Sequence, residues 1–240
     1  MSTSGQSTFN MVASQIVEKA FHRLGKASEG EALSARMLSD GMSSLNLLIK
    51  GIGAADHLWV RTERTLTLVA DTAAYVLTPK PLRVLSVRRR YTSGTDAIDT
   101  PMNEMSRQEY FDQPTKTTSP STPVSWYFDP QTTTGTLYIW PAPSTAVVAT
   151  GDYDLRLTYL RRMDDMVSSN DDLDMPQEWL QPMIWALADD LETEYPVNDA
   201  RLAGKIERKA GEWYRMLKAW DNETASVFFQ PDTRMQGWGW

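Results

Sequence analysis

Aspartates are the side chains of this sequence most densely placed for chemistry. Five of them lie within eleven residues, at Asp164, Asp165, Asp171, Asp172 and Asp174. A glycosidase needs two carboxyl groups about 5–9.5 Å apart, so Asp164 and Asp165, followed by Glu178, are candidate acids of a cell-wall carbohydrate hydrolase. The aromatic residues that would stack on its sugar are Trp126, Tyr127 and Trp140. The same aspartates also fit a solvated loop that caps a helix, since negative charge is favourable at a helix N-terminus. We favour the loop and keep the hydrolase as the alternative function.

Other catalytic groups are scarce. The sequence has only two histidines, His22 and His57, and no cysteine, which removes thiolate nucleophiles, disulfides and cysteine metal sites together. No nucleophile-elbow, zinc-protease, phosphate-loop or dinucleotide-binding motif occurs. The sequence therefore predicts a protein that is not an enzyme and that holds no cofactor or metal.

The charge is negative and unevenly distributed. The net charge is −7, yet residues 151–200 hold 13 acids and three arginines, a local charge of −10. High-affinity DNA binding depends on neutralising phosphates with Lys and Arg, so we expect DNA to pass this protein without sequence-specific binding. The polar N-terminus lacks a signal pattern and no apolar run approaches the roughly 18 residues of a membrane span. We expect a protein made in a reducing cytoplasm, without contact to a membrane.

Arginines form the sharpest basic cluster, at Arg83 and 88–90. In a regular strand, Arg88 and Arg90 point to one face, and Arg83 and Arg89 point to the other. This split disfavours nucleic-acid binding. Pairing with acids is favoured instead, either across neighbouring strands or across a subunit interface.

Aromatic residues at the C-terminus are the strongest candidates for binding a partner. The segment 227–240 contains two Phe, two Trp, two Gly and a Pro with no helical or strand period, so we predict an extended tail. Exposed aromatic residues favour aggregation unless a partner covers them, and they are frequent binding hot spots. The candidate partner-binding residues of this tail are Phe228, Phe229, Arg234, Trp238 and Trp240.

Helical periodicity is clearest in residues 173–196, the element around which the rest is arranged. Apolar residues recur there at steps of three and four, at Leu180, Met183, Ile184, Leu187 and Leu191. A capping box of Asp174 and Gln177 would begin this helix, and Pro182 predicts a bend or a short first turn. Similar stripes predict helices over 7–24, 28–50 and 198–226, the second beginning at a Ser28–Glu31 capping box.

The middle of the chain reads as β-structure. Two-residue alternation and turn residues predict strands at 62–69, 74–77, 82–91, 124–128, 136–140 and 152–160. A short capped helical turn is predicted at 106–111, where Ser106 precedes Glu109.

These elements predict an α+β fold. A bundle forms from the N- and C-terminal helices, a central antiparallel β-rich insertion lies between them, and an extended C-terminal tail follows. The predicted divisions are 1–58 and 163–226 for the bundle, 59–162 for the insertion and 227–240 for the tail. The apolar stripe of 173–196 leaves Trp185 on its flank as a candidate subunit contact.

Four segments carry a family resemblance when they are taken in order. They are PLRVLSVRRR, DTPMNEMSRQEYF, PVSWYFDPQTTTGTLYIWPAPS and DLDMPQEWLQPMIWALADDLETEYP. Together they resemble the head-to-tail adaptors of short-tailed phages, also called tail accessory factors or packaged-DNA stabilisation proteins. The resemblance covers roughly residues 30–220, and its specificity lies in the order of the segments.

The resemblance implies a non-enzymatic ring of twelve copies attached beneath the portal protein. Such a ring extends the DNA channel, retains packaged DNA and provides a platform for tail, nozzle or fibre proteins. It also implies a place at the head–tail junction of the virion, after assembly in the host cytoplasm, with the C-terminal segment against the portal. A ring needs head-to-tail contacts, for which Arg83, Arg88 and Arg90 could face the acidic Asp164 and Asp165 of a neighbouring copy.

Overall fold

The computed structural model describes residues 5, 9–28, 30–55, 57–93, 95–116, 120–149, 151 and 153–221. It confirms the α+β fold, with helices at both ends of the described chain and a β-rich middle. The helices are α1 (Ala13–Arg23), α2 (Ala35–Gly53), α3 (Arg107–Asp112), α4 (Thr145–Ala149), α5 (Leu180–Glu192) and α6 (Ala200–Trp220). The strands are β1 (Arg61–Thr67), β2 (Ala74–Leu77), β3 (Arg83–Ser93), β4 (Asp96–Pro101), β5 (Asn103–Glu104), β6 (Ser125–Pro130), β7 (Gly135–Trp140) and β8 (Tyr153–Leu160).

Helix α5 is the centre of the bundle, because α1, α2 and α6 all pack against it. All five residues of its predicted apolar stripe are buried: Leu180, Met183, Ile184, Leu187 and Leu191. They share a core with Ile16 and Phe21 of α1 and with Ile206 of α6. Burying one such side chain stabilises the fold by roughly 1.5–3 kcal/mol, so this stripe accounts for the position of α5.

The start of α5 differs from the prediction. A 3-10 turn, Gln177–Trp179, precedes the α-helix, which begins only at Leu180. Pro182 thus lies in the first α-helical turn, where the lack of an N–H is tolerated, and the expected short first turn is present. The prediction of an Asp174–Gln177 capping box was wrong. The Asp174 carboxylate binds Arg161 and the N–H of Asp164 instead.

Helices α1 and α2 begin later than predicted. At α1, the N–H groups of Ala13 and Ser14 donate to the carbonyls of Asp171 and Ser169, both at 2.9 Å. The acidic loop therefore supplies the N-terminal cap of α1 from a distant part of the sequence, and residues 9–12 are not helical. At α2, the hydroxyl of Ser34 caps the helix at Met37 N–H, so the Ser28–Glu31 prediction placed the start six residues too early.

The β-rich middle consists of two four-stranded sheets, ordered β1-β8-β3-β4 and β2-β7-β6-β5. Their facing sides share a second core that includes Trp126, Leu137, Leu155 and Leu157, so this region forms a β-sandwich. Pairing is antiparallel except between β5 and β6, which run parallel. Strands β4 and β5 and the short helix α4 were not predicted. Strand β4 is an exposed edge whose residues lack the apolar alternation of a half-buried strand.

The sandwich joins the bundle at one end of its first sheet. Val60, just before β1, and Leu160, at the end of β8, are buried in the helical core rather than in the sandwich core. Direct hydrogen bonds link the same region, from Arg161 N–H to the Val60 carbonyl and from Leu82 N–H to the Leu160 carbonyl. The two cores are therefore connected through packed strand ends.

Candidate assembly surfaces

Two arginines of the predicted cluster, Arg88 and Arg90, lie on the outer face of the first sheet and are paired within the chain. Arg88 binds Glu63 of β1. Arg90 forms a two-point contact with Asp99 of β4, at 2.6 and 2.7 Å. Hydrogen bonds from Arg90 hold the pKa of Asp99 below its usual range. The cross-strand pairing that the sequence favoured is therefore present.

A β-bulge changes which arginines share a face. The register of β3 against β8 shifts between Val84 and Ser86, and as a result Val84 and Val87 are both buried on the inner face. Because of this shift, Arg83 lies on the outer face together with Arg88 and Arg90, whereas Arg89 lies on the inner face. The predicted grouping of Arg83 with Arg89 was wrong, since strand alternation fails at a bulge.

The acidic loop is held by specific contacts rather than simply solvated. Asp165 binds Lys50 of α2, with 2.5 Å between carboxylate and ammonium. One carboxylate oxygen of Asp171 accepts the N–H groups of Val167 and Ser168, at 2.9 and 2.7 Å. These contacts fix the loop whose carbonyls cap α1.

Arg161 and Asp174 close the base of this loop. Arg161 binds both oxygens of the Asp174 carboxylate, one of them at 2.8 Å. Burial works to raise the pKa of Asp174, but the hydrogen bonds from Arg161 and from the Asp164 N–H outweigh it and hold the pKa below its usual range. The pair ties the end of the sandwich to the segment that leads into α5.

The aromatic residues proposed for a sugar site are not arranged around the acidic loop. Trp126 is only 2% exposed and lies between the two sheets. Tyr127 packs against Tyr110 and Tyr138 beneath α3. The indole N–H of Trp140 donates to the Thr115 carbonyl. The stacking platform that the hydrolase alternative requires is therefore not formed beside Asp164 and Asp165.

Trp185 is engaged within the bundle. The guanidinium of Arg23 lies 4.0 Å from the centre of its ring and also donates to the Gln181 side chain. Burial lowers the pKa of Arg23, and stacking on an indole is a favourable environment for such a partly desolvated cation. Trp185 remains half-exposed, so the prediction that it contacts a neighbouring subunit stays a prediction.

A buried histidine–aspartate pair, which sequence reasoning missed, lies where α6 ends. His57 Nδ1 is 2.5 Å from a carboxylate oxygen of Asp221, and both side chains are less than a tenth exposed. The other oxygen accepts the Leu58 N–H at 3.1 Å, and the rings of Trp59 and Trp179 pack around the imidazole. The partners are 164 residues apart, and no local pattern connects them. Asp221 thus anchors the end of α6 to the start of the sandwich.

The C-terminal tail, with Phe228, Phe229, Arg234, Trp238 and Trp240, lies outside the described residues. Within the described residues, no group of three or more His, Asp or Glu side chains is placed to hold a metal ion. The helices found in that part of the chain are all too short or too polar to cross a membrane.

Within the described residues, Arg88, Arg90 and Asp165 form ion pairs inside the chain. The family model described as SU10 adaptor protein matches residues 11–234. The chain belongs to this family, which confirms the resemblance to a phage head-to-tail adaptor and makes the protein a structural component of the virion.

A solved structure described as "Neck of empty GTA particle computed with C6 symmetry" is 14% identical to this chain, with a TM-score of 0.29. The match covers 85% of this chain and 93% of that chain. A search of the curated proteins found none that matches.

Proposed function

We propose that this adaptor forms a ring of twelve copies beneath the phage portal protein, at the head–tail junction. The ring extends the DNA channel, helps to retain packaged DNA and provides the platform on which tail, nozzle or fibre proteins assemble. Assembly takes place in the host cytoplasm. The observation that carries this proposal is the family match over residues 11–234.

The charge of the chain supports the proposed handling of DNA. At a net charge of −7, the protein has no general attraction for phosphate, since affinity for DNA depends on cationic side chains that displace counterions. DNA then passes through the channel without sequence-specific binding.

Portal binding is assigned to the C-terminal tail, and in particular to Phe228, Phe229, Arg234, Trp238 and Trp240. Large aromatic residues and arginine are the side chains that most often dominate binding free energy at interfaces. The described fold ends at Asp221, which is anchored to His57, so residues 227–240 can be removed without cutting a described element.

Removal of residues 227–240 tests this assignment. We expect the truncated protein to keep its thermal unfolding midpoint and its helical circular dichroism, and to bind the purified portal protein at least tenfold more weakly. A double variant, Trp238→Ala with Trp240→Ala, should reproduce most of the loss. The matched control, Gln230→Ala with Gln236→Ala, alters the same segment without touching an aromatic residue. Unchanged portal binding by the truncated chain would refute the role of the tail.

Subunit contacts are the second part of the proposal. Arg83 is exposed on the outer sheet face, and Asp164 and Trp185 also retain exposed surface, so they stay candidates for a contact with a neighbouring copy. Arg88, Arg90 and Asp165 already bind Glu63, Asp99 and Lys50 within the chain. Their charges are largely compensated, which makes them weaker candidates than groups that form no such pair.

A further inference from the structure

The first half of helix α6 carries three cations on one side and Glu207 on another. Arg201, Lys205 and Arg208 are spaced by four and three residues, which places them along one side of the helix. Glu207 lies about 200° around the helix from Lys205, since successive residues are about 100° apart. We call Arg201, Lys205 and Arg208 the basic flank. The acidic flank comprises Asp189, Asp190 and Glu192 of α5 together with Glu207.

The basic flank is exposed and only weakly compensated. All three of its side chains are exposed, and they line an open groove of about 620 Å³ with Leu202. The structure records no salt bridge for them within the residues it describes. The charge of Arg208 acts on the carboxylate of Glu212, but that carboxylate forms its salt bridge with Lys209. The groove lining also includes Asp199, whose carboxylate caps the start of α6. The groove therefore presents three cations, one acid and an apolar side chain to a partner.

The acidic flank is a cluster of like charges for which the described part of the chain shows no salt bridge. Burial, followed by the charges of Glu207, Glu192 and Asp190, raises the pKa of Asp189. No cation is among the groups that act on this carboxyl. Such a cluster is unfavourable in the isolated chain and becomes favourable when a cation is brought against it.

An apolar groove adjoins the acidic flank. It has a volume of about 340 Å³ between α2, α5 and α6. Its lining residues are Leu47, Leu48, Gly51, Ile52, Asp190 and Tyr214. Leu47 is 73% exposed and Tyr214 is 43% exposed, so a docked partner would cover apolar surface as well as meeting the charge of Asp190.

We propose that the acidic flank of one copy binds the basic flank of the next copy, so that the bundles make the head-to-tail contact of the ring. This inference rests on the proposed adaptor function and names the surfaces that join its subunits. Two different surfaces on the helix pair α5–α6 give a contact that repeats from copy to copy, and such a contact forms a ring when the rotation between copies closes. Four acids on one flank face three cations on the other, a complementarity that sets partner and register.

A second copy fits these surfaces better than nucleic acid does. Phosphates of DNA would neutralise the cations of the basic flank, but the acids of the acidic flank would still repel one another. A neighbouring copy satisfies both flanks at once and also covers Leu47. The spacing of Arg201, Lys205 and Arg208 was visible in the sequence, but the position of Glu207 beside Asp189 follows only from the packing of α6 on α5.

Charge reversal of each flank tests the inference. One variant carries Asp189→Lys, Asp190→Lys and Glu207→Lys, and the other carries Arg201→Glu, Lys205→Glu and Arg208→Glu. Association is measured in the presence of the cognate portal protein. Each variant alone should self-associate at least tenfold more weakly than the natural protein, because its two flanks then carry charge of the same sign. An equimolar mixture should regain association, since the lysine flank of one variant meets the glutamate flank of the other. Recovery in the mixture cannot arise from misfolding of either variant.

Cross-linking provides a second measurement that does not depend on folding of the triple variants. The natural chain has no cysteine, so Asp190→Cys and Lys205→Cys chains can be mixed and treated with a short thiol-specific cross-linker. We expect a covalent dimer in this mixture. A matched mixture of Lys205→Cys with Val167→Cys should give none, although Val167 is 90% exposed, because it lies on neither flank.

The outcomes separate this inference from the proposed function. Oligomers that form normally in both reversed variants, or that give no cross-link between residues 190 and 205, would overturn the flank contact and leave the adaptor function standing. A chain that binds portal and never contacts a second copy would overturn both the flank contact and the ring. Absence of portal binding by the natural chain, with intact flank cross-links, would contradict only the portal assignment.

Discussion

The arginines of the β-sandwich and the two charged flanks of the helical bundle differ in whether they find partners within the described chain. On the outer face of the sandwich, Arg88 and Arg90 bind acids of neighbouring strands. On the bundle, Asp189 is surrounded by other acids, and the basic flank of α6 faces solvent. Charges that are satisfied inside the chain contribute to the fold, whereas charges left unsatisfied remain available to a partner. The bundle is therefore the region where assembly contacts are expected, although the arginine run of the sandwich is more conspicuous in the sequence.

Core truncation should produce the largest effect and tests whether the two regions are energetically separate. Leu187→Ala in the bundle and Leu157→Ala in the sandwich each remove a side chain with no exposed surface, and each should cost about 2–5 kcal/mol of unfolding free energy. We expect both substitutions to lower the urea midpoint of one shared unfolding transition. The reason is that Val60 and Leu160, at strand ends of the sandwich, are buried in the core of the bundle.

Leu47→Ala is the control for these substitutions. Leu47 is 73% exposed, so in the unassembled chain its truncation should change the unfolding free energy by no more than about 0.5 kcal/mol. A transition that responds to Leu157→Ala and not to Leu187→Ala would show that the sandwich unfolds independently of the bundle.

The next largest effect is expected at the buried pair that connects the two regions. Asp221→Ala leaves the His57 ring and the Leu58 N–H without their acceptor, and an unsatisfied buried polar group costs about 1–3 kcal/mol. Chemical denaturation would measure the loss. Asp221→Asn keeps one oxygen for the Leu58 N–H and should cost less. Equal losses in the two variants would mean that the hydrogen bond to Leu58 contributes nothing.

Asp174→Asn should remove a pH-dependent part of the stability. The folded-state pKa of Asp174 lies below its ordinary value, so its ionised form stabilises the fold. That stability is present above the unfolded-state pKa of about 3.9 and is lost as the pH falls through the lower folded-state value. The variant should therefore be less stable than the natural protein at pH 7, and the difference should vanish in acid. A difference that persists undiminished at pH 2 would contradict this account.

Asp189→Asn should have the smallest effect and the opposite sign. The folded-state pKa of Asp189 is raised, so its ionised form opposes folding above that pKa, and the penalty is absent below the unfolded-state value of about 3.9. In the unassembled chain at pH 7 the variant should gain stability, by no more than about 0.5 kcal/mol because the site is partly exposed. Thermal unfolding at pH 7 and pH 3 would measure it. A loss at pH 7 would mean that a cation already compensates Asp189 within the chain.

The helices were predictable where local periodicity matches burial. The stripe of α5 from Leu180 to Leu191 is buried as expected, because apolar residues spaced by three and four positions lie on one face of a helix, and that face packs against the core. The Ser106–Glu109 capping box is likewise present at α3. Both signals lie within a few residues of the feature that they predict.

Most of the failures have a different cause, which is that residues distant in sequence decided the outcome, although the start of α2 depends on the local Ser34 cap. The start of α1 depends on carbonyls of Asp171 and Ser169, more than 150 positions later in the chain. The face of Arg83 depends on a bulge between Val84 and Ser86. Asp221 binds His57 only because α6 returns to the start of the sandwich. Composition and periodicity do not encode such long-range contacts, so the acidic flank that we propose as a subunit contact could not be predicted from the sequence.

The mass of the complex formed with the portal protein tests the central claim most directly. The purified chain should be measured by light scattering alone and with the cognate portal protein, beside the Arg201→Glu, Lys205→Glu, Arg208→Glu variant. We predict that the natural protein adds many copies to the portal and that the variant adds far fewer, although it keeps its fold and its C-terminal tail. A mixture whose largest species has the mass of the portal protein alone would contradict the claim that this chain assembles as a head-to-tail adaptor.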